Sequence, residues 1–193
     1  MYSISDKRKI GNALIFAITH SSKPINKTKL LKLMYLMEET MAKVYHTPFL
    51  SLPYEVWQYG AVQKDLYAEL SDGCSTILKD YVGVSDDGNF VAKQSFDDEE
   101  FSDAELEMMS SVMTKYGDKT ANQLVSLLHQ KDGLWYKTAE REGVLDSFLK
   151  GQATTSPYLI DLTEGMDDCQ KEEYLQCKAI RETASELRSK ANV

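Results

Sequence analysis

Apolar positions along this chain follow the 3.6-residue period of a helix far more often than the two-residue period of a strand. Ile10, Leu14, Ala17 and Ile18 share one face of a segment from Lys7 to His20, and Ser21-Ser22-Lys23-Pro24 ends it. Asn26 is placed to cap the next helix, its side chain accepting from a free first-turn amide. That helix is expected to run to about Tyr45, with Leu30, Leu33, Met34, Met37, Met41, Val44 and Tyr45 on one face. Leu31 and Leu36 widen the stripe, the pattern of a central, mostly buried helix.

Beyond Pro48 and Pro53 the period changes. Tyr54, Val56 and Gln58 alternate with Glu55, Trp57 and Tyr59 as on a short strand, which Gly60 is expected to close. Val62, Leu66, Tyr67 and Leu70 then restart the helical period. Asp86-Asp87-Gly88-Asn89, between Tyr81-Val82-Gly83-Val84 and Phe90-Val91-Ala92, predicts a hairpin whose Asp-Gly pair suits a tight turn.

Ser102-Asp103-Ala104-Glu105 spells a capping box, serine and glutamate each satisfying an amide the other leaves free. It opens a helix carrying Leu106, Met109, Val112, Met113 and Tyr116, stopped at Gly117. Another follows from about Thr120 to Gln130 with Ala121, Leu124, Val125 and Leu128 inward, and Leu134 to Glu142 adds further turns. Residues 151–165 read as loop. A terminal helix over 166–190 is expected to dock through Tyr174, Cys177, Ile180, Ala184 and Leu187. The fold class is therefore mainly α (α+β): a compact multi-helix domain with a small antiparallel β element, a strand near 54–59 and a hairpin near 81–95.

The length of 193 residues suits a single domain spanning 1–193 and allows a substantial core. No window approaches the roughly 18 unbroken apolar residues of a membrane span. The first residues lack the pattern of a signal peptide. Three cysteines, Cys74, Cys169 and Cys177, with no CxxC, point to a reduced, cytoplasmic protein. A net charge of -8 makes nucleic acid an unfavourable partner and a basic protein a favourable one. A basic face for DNA would have to come from Lys23, Lys27, Lys29 and Lys32.

Catalytic signatures are absent: there is no P-loop, dinucleotide glycine fingerprint, HExxH, GxSxG or EF-hand loop. His20, His46 and His129 lie in three separate segments. Together with the acidic run Asp97-Asp98-Glu99-Glu100 they are the ligands a metal-dependent hydrolase would need, the alternative reading of this chain. The simpler expectation is two helix-end histidines and one loop histidine, and a solvated acidic lead-in to a helix. Cys169 and Cys177, eight residues apart, are expected to pack as small apolar side chains.

Two blocks carry a family resemblance. Asn26-Lys27-Thr28-Lys29-Leu30-Leu31-Lys32-Leu33-Met34-Tyr35-Leu36, then Glu55-Val56-Trp57-Gln58-Tyr59-Gly60-Ala61-Val62 and Leu66-Tyr67, resemble the leucine-rich helix and aromatic strand of the Panacea domain, the SocA-like antitoxin family also described as phage-associated proteins. Leu124, Leu127, His129 and Trp135 resemble the family's second block, and the likeness spans roughly 7–145. Ala61 departs from the family, which usually has proline after the glycine.

The resemblance implies a non-enzymatic antitoxin of a toxin-antitoxin system, without cofactor. Similar proteins bind a toxin encoded beside them, and the SocA type hands its toxin to a protease as an adaptor. Trp57, Tyr59, Gln63, Lys64 and Tyr67, with Trp135 and Tyr136, are the expected partner-binding residues, since aromatic side chains commonly anchor interfaces.

Overall fold

The computed structural model describes residues 4–191, and the side chains of residues 6–187. Its elements are α1 (Ile4–Thr19), α2 (Lys27–Tyr45), β1 (Glu55–Trp57), β2 (Gly60–Val62), α3 (Lys64–Ser71), β3 (Val82–Val84), β4 (Phe90–Ala92), α4 (Asp103–Tyr116), α5 (Ala121–Leu128), α6 (Leu134–Arg141), α7 (Leu145–Leu149) and α8 (Asp168–Ala191). The fold is mainly helical with two small antiparallel sheets, as expected from the periodicity.

Helix α2 is the axis of the fold and packs on α1, α3, α4, α5 and β2. Asn26 caps it by accepting from the Lys29 amide at 2.9 Å, and His46 ends it in the left-handed region. Every residue from Lys29 to Glu38 is buried, so the helix is covered on all sides and not along one stripe. Val44, expected on the buried face, is instead 61% exposed, because the neighbours that surround the middle of α2 do not extend over its last turn.

The charged residues inside that run each find a backbone partner or a hydroxyl. Glu38 accepts from the amides of Phe49 and Leu50 at 2.9 Å and of Ser51 at 3.2 Å, and so shapes the loop that leads to β1. Lys29 donates to Ser21 Oγ at 2.7 Å and Lys32 to the Ala61 carbonyl at 2.9 Å. The basic face considered for DNA does not form: Lys29 and Lys32 point inward, and Lys27 lies over the Tyr67 ring.

The stretch 54–62 corrects the expected strand. Gly60 does not close a strand near 54–59 but opens β2, pairing with Trp57, while Val56 faces Ala61 and Glu55 faces Val62. Gln58 and Tyr59 form the two-residue turn, and Gly60 adopts φ +101, a region that side chains disfavour. A Cβ there would also stand 3.1 Å from Lys32 Nζ. The other edge of β1 is covered by residues 154–160, with Val56 N donating to the Tyr158 carbonyl and Ile160 N to that of Tyr54. The expected loop 151–165 thus stays irregular, tied to β1 by these bonds and by a single bridge between Leu159 and Glu55.

The second hairpin is as expected, β3 and β4 pairing Val82 with Ala92 and Val84 with Phe90 against α1. Gly11 on α1 admits the Tyr81 ring, which a Cβ would meet at 2.4 Å. The predicted capping box at Ser102 and Glu105 forms, and an equivalent one, Thr120 with Gln123, starts α5.

Helix α8 docks through part of the face expected. Tyr174 is buried and Cys177 and Ala184 are half-buried, but Ile180 is 68% and Leu187 62% exposed. Arg181 faces the body instead, donating to the Phe49 carbonyl and to Glu105 at 2.6 Å, and Ser185 donates to Asp6 at 2.5 Å. Arg181 thus completes the docked face, and Ile180, one position before it, points outward. Cys169, expected to pack, is exposed, and Cys177 is half-buried.

Candidate functional site

The β1–β2 hairpin displays its turn and hides its backbone. Tyr59, at the tip, is 64% exposed, one of the most exposed large apolar side chains among the described residues. Beneath it, four successive holders reach in from four parts of the chain. Ser156 Oγ donates to the Val56 carbonyl at 2.5 Å, Trp135 Nε1 to that of Trp57 at 2.9 Å, and Lys32 Nζ to that of Ala61 at 2.9 Å. His129 Nε2 lies 2.9 Å from the Gln58 carbonyl. Gln58 itself donates from Nε2 to the Phe148 carbonyl at 2.9 Å. The bonds to Val56, Gln58 and Ala61 satisfy carbonyls that a two-stranded hairpin alone would leave open.

Next to the tip, Trp57 and Tyr67 meet edge to face at 5.0 Å, and Lys27 Nζ sits 4.4 Å from the Tyr67 ring centre. Trp57 Nε1 donates to Glu55 at 2.8 Å, which fixes the indole in a half-buried pose. Lys64 opens α3 and is exposed, and Tyr136 on α6 is half-buried. Trp57, Tyr67 and Lys27 make a small patch behind the exposed Tyr59, and Lys64 and Tyr136 keep surface on α3 and α6, side-chain types common at protein interfaces.

Two of the seven expected contact residues lie inside the fold. Gln63 is buried and caps α3, accepting from the Leu66 amide at 2.5 Å. Trp135 is 1% exposed, its ring 3.9 Å from that of His129 and tilted 48° to it, and is bonded to the hairpin. Their work is to hold the patch in place. Trp57, Tyr59, Lys64, Tyr67 and Tyr136 retain surface.

Sequence reasoning did not find Lys32 or Ser156 as holders, since neither position carries a local signal. Burial alone drives the Lys32 amine down to about 7. His129 and Trp135 were visible as the second block of the resemblance. Their contact with Trp57 and Gln58 shows why the two blocks go together: one supplies the hairpin, the other its support.

The histidines occupy three helix ends. His20 stacks on Phe16 at 3.9 Å at the end of α1, His46 ends α2, where a loop position was expected, and His129 ends α5. Among the described residues no three His, Cys, Asp or Glu side chains gather as a metal ion would require. The acidic run is not simply solvated: Arg8 reaches Asp97 at 3.2 Å, Glu99 at 3.1 Å and Glu100 at 3.4 Å. No described helix is long and apolar enough to cross a membrane.

The fold is thus a mainly helical one with an exposed aromatic turn at the tip of its first hairpin. Residues 30–136, more than half of the chain, match the family model described as antitoxin SocA-like, Panacea domain. The chain belongs to that family. The match runs from α2 through the hairpin to α6, so it contains the patch and most of its support. No curated protein and no solved structure matches the chain.

Proposed function

We propose that this protein is the antitoxin of a toxin-antitoxin pair and neutralises its toxin in the cytoplasm by direct binding through the hairpin patch, without catalysis. The observation that carries the reading is the pairing of an exposed Tyr59 with a backbone bonded from four segments, inside the region that matches the antitoxin family. A contact surface already held in its final shape loses little conformational entropy on binding, which favours tight association. The net charge of -8 suits a basic toxin. Delivery of the bound toxin to a protease belongs to the same reading as a later step.

Co-expression with the product of the neighbouring reading frame tests it. Rescue of growth and a purified complex of defined mass are the expected results, and rescue with falling toxin levels would indicate the adaptor step. A harmless neighbour with no complex would remove the reading. Within a complex, Tyr59→Ala with Lys64→Ala is expected to cost binding about 2 kcal/mol or more, measured by calorimetry. Both side chains being exposed, the free protein should unfold within about 0.5 kcal/mol of the parent. Unchanged affinity would place the interface elsewhere.

A further inference from the structure

We propose that the groove between α1, the loop 49–53 and α8 is a second docking site, which takes a basic amphipathic polypeptide segment with a bulky apolar anchor. The groove encloses about 670 Å³, and none of its lining residues belongs to the hairpin patch. Its apolar lining comes from Ile10, Phe49, Leu50, Leu52 and Pro53, of which Leu50 and Pro53 keep appreciable surface. Ile180, turned outward on α8, extends that apolar surface to the rim.

Charge selects the occupant. Carboxylates stand around the rim on three elements: Asp6 on α1, Glu99 and Glu100 ahead of α4, and Glu182 and Glu186 on α8. The two cations of the groove, Lys9 and Arg181, are both drawn to Glu105 beneath it, at 2.7 and 2.6 Å. Arg8 beside it is shared among Asp97, Glu99 and Glu100. The field at the mouth is therefore negative over an apolar lining, the complement of a segment with lysine or arginine flanking a large apolar residue. An amphipathic helix laid in a groove is a recurring mode of such recognition.

The test uses the whole chain and needs no cognate partner, so it stands apart from the antitoxin reading. A helical peptide of leucine and lysine, and its leucine and glutamate counterpart, are titrated into protein with labelled Ile and Leu methyl groups and followed by NMR. The lysine peptide is expected to saturate, to shift the methyls of Ile10, Leu52 and Ile180 more than that of Leu66, and to weaken with added salt. Glu182→Lys with Glu186→Lys, both exposed, should weaken it about tenfold while circular dichroism stays unchanged. Equal binding of both peptides, shifts centred elsewhere, indifference to the charge reversal, or no saturation would overturn the proposal.

Discussion

Lys32 is the residue at which the demands of folding and of presentation meet. Its amine lies under the hairpin with one bond, to the Ala61 carbonyl, and burial lowers its pKa from 10.5 to about 7. Between those values the unfolded chain holds a proton that the folded chain has released, so stability rises with pH across that window. Below about 7 the whole cost is present, on the order of 5 kcal/mol. Lys32→Met is expected to flatten this rise, measured as urea unfolding between about pH 6 and about pH 10. An unchanged slope would mean the amine reaches solvent. Sequence could show Lys32 inside an apolar run; only the closure of the hairpin over it reveals its bond to the Ala61 carbonyl.

At the scale of elements, α8 is held differently from the rest. Arg181 supplies its bonds to the Phe49 carbonyl and to Glu105, yet those partners do not depend on it. Glu105 keeps Lys9 and the Ser102 amide at 2.9 Å, and Glu38 keeps its three loop amides. Burial raises the Glu38 carboxyl above its usual range even so, the amides and then Arg181 opposing the shift. Arg181→Ala is expected to ease opening of α8 by about 2 kcal/mol while α2 stays protected, read by hydrogen exchange. Equal loss of protection in both helices would make α8 integral to the core. The helix and the inward side of Tyr174, Cys177 and Ala184 were legible from its periodicity, but the part of Arg181 was not, because its partners Phe49 and Glu105 lie far along the chain.

Across the whole molecule, α2 joins the elements into one cooperative unit. Leu33, fully buried at its centre, has neighbours on several sides that cannot all relax inward. Leu33→Ala is expected to cost about 3 kcal/mol. Circular dichroism and tryptophan fluorescence should report one shared transition, since the support of Trp57 and Trp135 rests on the same helix. Separate transitions would show that the hairpin region folds by itself.

Local chemistry was enough to set the helices, their caps at Asn26 and Ser102, the second hairpin and the family blocks, because each depends on neighbours within a few residues. The direction of Ile180 and the outward turn of Val44 depend on what packs from far along the chain. The same holds for the site. Its exposed aromatics could be named from the sequence, but Trp135, Lys32 and Ser156 became its supports only through contacts between distant segments, which no local pattern records.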